Sequence, residues 1–439
     1  MPLPTLSYPS STQKEATRNK DRILAAGMTI LLLACACGSG KSQDPRKDLA
    51  DLNKVLTNEM SDTTDLKGME RKIRNYMQQW QLKGVSLAVM RGDSLYYAKG
   101  FGWADQEKGE EMTPGHIMRV ASVSKLITAA GIMKLVEEGK LSLQDKVFGE
   151  EGILRDSVYL QSIKEKGYYQ ITVEDLLRHK GGLTTRGGDP MFSTRSIMAN
   201  NRLTEAPDAK TLLRLVLRRK LGFVPGTSQS YSNLGYLLLS MIIEEVTGED
   251  YEDYIQKNIL RPAGCRDMHI AHNYYEEKYK NEVRNYVPSN EPLYPEYNNS
   301  GREVVRCYGG NDIRALSGAG AWVASVPELA LFVASIDGRP EIPDILSAES
   351  VRLMTEYFDK DTYSFGWNDT NPETGWTRSG TFSGTSAMIK YFPDGECWLF
   401  VTNTSTWRGP AFSRITANLF GELRNGWGDK FPKQDLFRK

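Results

Sequence analysis

The 439-residue chain is sparing in several residue types: it has five cysteines, four histidines and no surplus of either charge, 55 Lys and Arg standing against 55 Asp and Glu. Few cysteines in a chain of this length exclude a small disulfide-stapled scaffold, because a core this large forms without staples. The four histidines (His116, His179, His269, His272) contain no H-E-x-x-H pattern, so a zinc-hydrolase helix is excluded. The i, i+3 pair His269 and His272 reads as a surface pair rather than metal ligands, and no metal or cofactor is expected. The even charge and the absence of a long basic run leave no electrostatic footprint for nucleic acid. G-x-S-x-G is absent, which removes the nucleophile elbow of lipase-type hydrolases. No apolar stretch reaches the roughly 20 residues of a membrane span. What is present, 40% hydrophobic and 10% aromatic residues, fits a folded body of one large composite domain or two to three smaller ones.

The longest apolar run, Ile23 to Ala34, follows Arg18, Lys20 and Arg22. A basic flank and a twelve-residue apolar core make residues 1–34 a signal segment. Leu32-Leu33-Ala34-Cys35 resembles the lipobox of bacterial lipoproteins, which implies export, lipidation of Cys35 and anchoring to a bacterial membrane with the body facing the periplasm or the cell exterior. Ordinary cleavage after Ala34-Cys35-Ala36 is the alternative, and Cys37 is a second candidate for the mature N-terminus. Gly40-Lys41-Ser42 ends like a P-loop, but Cys35 stands where the first glycine is needed. Residues 35–66 read as a polar tether and 67–439 as the folded body, with 146–316 its mainly helical part. Of the remaining cysteines, Cys265, Cys307 and Cys397, at most one pair can bridge, and the sequence does not choose it.

Along the body, amphipathic periodicity predicts a helix over 69–81. Alternation predicts strands over 85–89 and 95–98, joined by the turn Arg91-Gly92-Asp93-Ser94. A helix follows over 122–138, stopped by Gly139. Helical segments over 173–178, 210–221 and 236–246 alternate with polar loops, and Gly248 ends the last. The segment 272–310 is rich in Tyr and Asn and lacks periodicity, as a substrate rim or plain loop packing would. A helix over 327–336, a second hairpin over 386–402 around Pro393-Asp394-Gly395, and a final helix over 412–424 complete the pattern. Strands at both ends with helices between predict one sheet assembled from both termini.

Three short patterns carry chemistry. Ser122-Val123-Ser124-Lys125 is an S-x-x-K tetrad opening an apolar helix, so Lys125 lies one turn above the Ser122 hydroxyl. A lysine with a depressed pKa can take the serine's proton, and the helix N-terminus directs N–H groups at developing negative charge. Ser124 falls on another helix face. Tyr231-Ser232-Asn233 places a phenol and an amide two residues apart, on one side of an extended turn, between Pro225-Gly226-Thr227 and an apolar helix. The phenol relays a proton and the amide holds a carbonyl. Arg378-Ser379-Gly380 offers a fixed cation beside a small-residue strand edge. Each pattern is weak alone: Ser11 to Lys14, Tyr279 to Asn281 and Tyr297 to Asn299 match two of them elsewhere.

In this order the three resemble the S-x-x-K, Y-x-N and K-[ST]-G motifs of the penicillin-recognising serine hydrolases, the superfamily of class C β-lactamases, D-alanyl-D-alanine carboxypeptidases and related esterases. Gly100 to Asp105, Ile171 to His179, Gly182-Leu183, and Gly318-Ala319-Gly320 leading to Ser325 through Leu329 are similar as well. The likeness spans about 69–404. It implies an α/β (α+β) fold with an antiparallel sheet built from the N- and C-terminal segments, flanked by helices, plus an inserted mainly helical subdomain. It implies a Ser122 nucleophile, Lys125 and Tyr231 as base and proton relay, and Asn233, Arg378, Ser379 and Gly380 at the substrate. The oxyanion would sit between the N–H groups of Ser122 and Thr381. The implied substrate is an ester or amide of small-molecule or peptide type: a D-Ala-D-Ala-like peptide, a β-lactam or a small ester. No protein partner is expected. Arg378 departs from the family's Lys or His. It keeps its charge, so it depresses the pKa values of Lys125 and Tyr231 and attracts a carboxylate, but it does not carry protons. No E-x-x-L-N segment is present, so turnover of β-lactams by the class A route is not expected. The reading of another class is a binding or sensory lipoprotein that keeps the fold and turns nothing over.

Overall fold

Residues 49–438 are described by a computed structural model; the signal segment, Cys35 and Cys37 lie outside the described residues. Two strands, β1 (Gly84–Arg91) and β2 (Ser94–Asp105), form the predicted hairpin. Its two turn residues, Gly92 and Asp93, both have positive φ, 51° and 57°, the primed turn whose twist matches that of its strands. The short β3 (Glu110–Glu111) lies along β2. The chain returns to this sheet only after residue 368, with β4 (Asp369–Asn371), β5 (Gly375–Phe382), β6 (Thr385–Tyr391) and β7 (Glu396–Thr402). The order is β3-β2-β1-β7-β6-β5-β4. Strand β1 pairs antiparallel with β7, Val85 opposite Thr402, so the first and last strands meet at the centre.

Both faces of the sheet are covered, and period-2 alternation sorts its side chains between two cores. Val85, Leu87 and Val89 of β1, with Trp398 and Phe400 of β7, join the helices Lys67–Trp80 and Phe412–Trp427 on one face. Ala88 and Met90, with Leu399 and Val401, face the larger core built on the helices Ser124–Glu137 and Val326–Ala334. Thus β1 is buried from Gly84 to Met90.

Two expectations change. The tether proposed over 35–66 does not extend to residue 66, because Leu49, Leu52, Leu56 and Leu66 are all buried; from Leu49 onward the chain is part of the packed body. Spaced leucines in a polar background hid this. The helix expected over 210–221 ends at Val216. Beyond it the Leu221 N–H donates to Glu165 Oε2 (2.7 Å) and the Gly222 N–H to the Gly182 carbonyl (2.8 Å), so tertiary partners take the backbone. The segment 146–316 holds helices including Thr194–Asn201 and Asn233–Thr247, and its apolar side chains belong to the same core as the inner sheet face. The cysteines Cys265, Cys307 and Cys397 are buried free thiols.

Beneath the first hairpin, two carboxyls face each other. Asp93 Oδ2 accepts from the Ile342 N–H (3.2 Å), while Asp337 accepts from the Arg339 N–H (3.0 Å) and the Tyr391 hydroxyl (2.7 Å). Burial first, then the charge of Asp93, pushes the Asp337 carboxyl up to about 8. The unfolded chain gives up this proton near pH 4 while the folded chain keeps it. The contribution of this pair to stability therefore falls as pH rises from about 4 to about 8 and levels off above. An Asp337→Asn variant supplies a permanent donor to Asp93. Its amide nitrogen cannot accept, so the Arg339 N–H and the Tyr391 hydroxyl are not both served and the variant starts lower near pH 4. Its melting temperature relative to the parent is nevertheless expected to rise by a few degrees between pH 4 and pH 8, as measured by thermal unfolding at both pH values.

Candidate active site

Ser122 sits in a 3-10 turn, Ala121–Val123, that runs directly into the Ser124–Glu137 helix. Ala121 has φ 48°, a left-handed conformation costly for a residue with a Cβ and held here by its surroundings. The buried Ser124 hydroxyl donates to the Ala121 carbonyl (2.6 Å) and accepts from the Trp322 N–H (3.1 Å). It pins the turn and is not available as a nucleophile. From the other side β5 presses against the turn at Gly380. A Cβ there would lie 2.3 Å from the Val120 carbonyl oxygen and 2.7 Å from the Ser122 nitrogen, so only glycine permits the approach.

Three segments meet around Ser122. The Tyr231 hydroxyl is 2.8 Å from Ser122 Oγ and Lys125 Nζ is 3.2 Å from it. Lys125 is fully buried. Its ammonium also donates to Asn233 Oδ1 (2.7 Å) and the Ala319 carbonyl (2.5 Å). Asn233 is not on an extended turn as expected: Ser232 caps a helix by accepting from the Gly235 N–H (3.1 Å), and Asn233 is that helix's first residue. Arg378 Nε donates to the Ser122 carbonyl (2.8 Å), Nη2 contacts the same oxygen, and Nη2 reaches the Tyr231 hydroxyl at 3.1 Å.

Burial disfavours the charged form of Lys125 and lowers its pKa to about 8, with the Tyr231 oxygen opposing and the Arg378 cation assisting. Burial pushes Tyr231 upward, but the charges of Lys125 and Arg378 and the hydrogen bonds from Lys125 and Ser122 outweigh it, bringing the phenol down to about 8. Two groups that ordinarily hold protons to about pH 10 thus exchange one near neutrality.

The neighbouring cavity, about 360 Å³, is lined by Ser122, Tyr231, Asn233, Ser379, Gly380 and Thr381, with Phe192, Asn368 and Phe382 among its walls. Strand β5 runs along it. Its neighbour β4 pairs only with Gly375 to Thr377, and the Ser379 N–H points away from β6, to Asn368 Oδ1 (2.7 Å). Successive N–H groups alternate sides along a strand, so the Thr381 N–H points the same way, toward the cavity. Arg378 does not line the cavity: it is wholly buried and committed to Ser122 and Tyr231. The carboxylate-attracting role expected of it is corrected to an internal one. A side chain on the buried face of β5 reaches under the serine rather than into the open space above it.

Several participants escaped the sequence reading. Asp189 accepts from Asn233 Nδ2 (2.7 Å) and so orients the amide that holds Lys125. Its only sequence signal is Asp189-Pro190, a helix-start pair. Asn368 fixes the edge at Ser379, with no signal at all. His179 was expected in a structural hydrogen-bonding role. Its Nδ1 accepts from the Ser232 N–H (3.1 Å), its ring lies 4.5 Å from that of Tyr231, and burial first, then the two nearby cations, keeps it neutral. The matching patterns elsewhere lie apart from the cavity: Tyr279 stacks on His269 at 4.5 Å, and Tyr297 contacts Asn273. His269 is engaged by Asp267 (3.0 Å) and Gln256 (3.1 Å).

Comparison with known proteins places this geometry. Residues 69–420 match the family described as Beta-lactamase. "Protein flp" of Staphylococcus aureus (strain N315) is 27% identical over 212 residues, 48% of this chain and 38% of that protein. A "Putative D-alanyl-D-alanine carboxypeptidase" of Escherichia coli O157:H7 is 26% identical over 250 residues, 54% of this chain and 53% of that protein. The chain thus spans about half or less of the curated relatives it matches. Among solved structures, the octameric penicillin-binding protein homologue from Pyrococcus abyssi superposes with a TM-score of 0.58 and 26% identity over 82% of this chain and 78% of that one.

The Arg378 cation lowers both Lys125 and Tyr231, so its removal has a definite sign. Difference absorbance of the parent against Tyr231→Phe should show one tyrosinate appearing with a midpoint near pH 8. In an Arg378→Met background that midpoint should move alkaline by about one unit or more. An unmoved midpoint would mean that the guanidinium does not tune the pair.

Proposed function

The chain belongs to the β-lactamase family, among the penicillin-recognising serine hydrolases, and from that membership we propose that it hydrolyses esters or amides through an acyl-enzyme on Ser122. The observation that carries the reading is the convergence of Tyr231 and Lys125 on the Ser122 hydroxyl, at 2.8 and 3.2 Å. With the shared proton on Lys125, the phenolate of Tyr231 accepts the Ser122 proton as Oγ attacks the substrate carbonyl. The Ser122 and Thr381 N–H groups receive the oxyanion. The Tyr231 hydroxyl then donates its proton to the leaving group, and the carbon–heteroatom bond breaks. Water attacks the ester on Ser122, gives its proton to the same pair and frees the acid and the serine. Arg378 stays protonated throughout and holds the charge balance. The acyl donors that fit are a D-Ala-D-Ala-type peptide, a β-lactam or a small ester. The relation to a putative D-alanyl-D-alanine carboxypeptidase supports the first.

Incubation with a fluorophosphonate and with a labelled penicillin, followed by peptide mapping, tests this. Label is expected on Ser122 and absent in Ser122→Ala, and Lys125→Ala or Tyr231→Phe should slow labelling about 100-fold or more. Absence of any adduct at Ser122 would refute the proposal.

We further propose export and anchoring by a lipid on Cys35, supported by the basic flank, the apolar core and the Leu-Leu-Ala-Cys junction. Expressed in a bacterial host, the chain should incorporate labelled palmitate and partition with detergent, and Cys35→Ala should lose both. Retention of label in that variant would point to Cys37 instead.

A further inference from the structure

Strand β5 does not offer all of its free edge to a ligand. At Ser379 the edge is already taken: the N–H (2.7 Å) and the hydroxyl (3.2 Å) both donate to Asn368 Oδ1. A backbone N–H can meet only an acceptor, so this bond fixes which end of the Asn368 carboxamide faces the strand. Nδ2 therefore turns the other way. Among the described residues nothing hydrogen-bonds to it, and it is not sealed from solvent. Asn368 itself lines the cavity beside Ser122. Its backbone is held on both sides. The Asn368 N–H donates to the Thr377 carbonyl (2.9 Å), the Gly366 N–H donates to the Tyr236 hydroxyl (3.0 Å), and the ring of Trp367 lies 5.4 Å from that of Trp376. A neutral pair of N–H donors is thus presented at a fixed place on the cavity wall.

The surroundings are electrically even. None of the described side chains lining this cavity is Asp, Glu, His, Lys or Arg. Behind the wall, the cations of Lys125 and Arg378 both face Tyr231, and Asn233 links Lys125 to the carboxylate of Asp189. In the attacking state these cations stand against a phenolate and a carboxylate. Arg306 lines the adjoining cavity, beyond Phe382, and faces Glu291 at 3.4 Å. A carboxylate brought to Ser379 would lose its water without gaining a cation, and it would find both Ser379 donors in use. A carbonyl or ether oxygen would gain the Asn368 N–H and gives up far less hydration to do so.

The position along the substrate follows from the proton relay. The Thr381 N–H marks the oxyanion, and the Tyr231 hydroxyl, 3.1 Å from Arg378 Nη2, marks the proton donor to the leaving group. On β5 Ser379 stands between Arg378 and Thr381, so Asn368 meets the substrate on the leaving-group side of the carbonyl. Resting on the acyl-transfer reading above, we propose that Asn368 is a specificity-determining residue that binds an acceptor oxygen carried by the leaving group, and that the site takes donors with an uncharged leaving group in preference to those whose leaving group bears a carboxylate. Among the acyl donors named above this favours the ester.

The test uses meta-substituted phenyl acetates whose leaving phenol carries a carboxamide, a methyl ester, a carboxylate or a trimethylammonium group. Each kcat/KM is divided by the ester's rate with imidazole, which removes differences in leaving-group reactivity. The carboxamide and methyl ester should exceed the carboxylate by at least about tenfold. Asn368→Asp keeps an acceptor for Ser379 and turns a carboxylate oxygen to the cavity, so it should lower the carboxamide value about tenfold or more and make the trimethylammonium ester the preferred one. Asn368→Ala frees both Ser379 donors and should narrow the gap between carboxamide and carboxylate, which a merely structural role would not do. Thermal unfolding reports that each variant is folded. Discrimination that survives both substitutions would overturn the role of Asn368. Equal values for all four esters, or turnover of none, in a protein whose Ser122 takes a fluorophosphonate would overturn this inference alone. So would a carboxylate penalty that appears only when the charge is moved to the acyl side, in a hemisuccinate ester. Failure of Ser122 to label would overturn the acylation reading and this one with it.

Discussion

Burying the amino group of Lys125 is the constraint around which the site is organised. A fully buried lysine loses its hydration, and that loss both costs stability and depresses its pKa toward neutrality. The cost is tolerable because three oxygens are held around the amino group: Asn233 Oδ1, the Ala319 carbonyl and Ser122 Oγ. Asn233 and Ala319 come from elements 108 and 194 residues from the lysine. Each oxygen is itself secured. Asp189 fixes the Asn233 amide, and Ser124 ties the serine turn to Trp322, beyond the Gly318-Ala319-Gly320 bend.

Arg378 supplies what the lysine cannot, a cation that never loses its proton. Its bidentate hold on the Ser122 carbonyl and its contact with the Tyr231 hydroxyl place a permanent positive charge beneath the phenol. That charge acts on Tyr231 and Lys125 in the same direction and keeps their shared proton mobile near neutral pH. A transferable proton is thus confined to the Lys125–Tyr231 pair, and the guanidinium serves electrostatics and geometry. The close seating of Gly380 on the nucleophile turn lets the strand bring both Arg378 and the Thr381 N–H to the same serine.

Much of this was legible from local chemistry. The hairpin turn at Gly92-Asp93 follows from the backbone preferences of those residues, and Gly139 and Gly248 end their helices with φ of 66° and 71°. Choosing Ser122 over Ser124 rested on helix periodicity, and in the fold the Ser124 hydroxyl is taken up by the Ala121 carbonyl and the Trp322 N–H. Errors arose where a distant partner overrode a local preference. Leu49, Leu52 and Leu56 look like linker until the core that receives them is known. The backbone at Leu221 and Gly222 leaves a helical pattern for bonds to Glu165 and Gly182. Asn233 opens a helix because Ser232 caps it.

The reactive residue types, their order along the chain and the local elements that present them could be read from the sequence, since capping, turn and helix-face rules act over a few residues. Tertiary packing alone set Arg378 under Ser122 instead of in the cavity, and Asp189 and Asn368 against the amide and the strand edge. Those facts depend on side chains separated by 256 residues for Arg378 and Ser122, and by 44 for Asn233 and Asp189. The first contact arises from how the two ends of the chain close one sheet and the second from packing within the helical segment, and no local pattern records either.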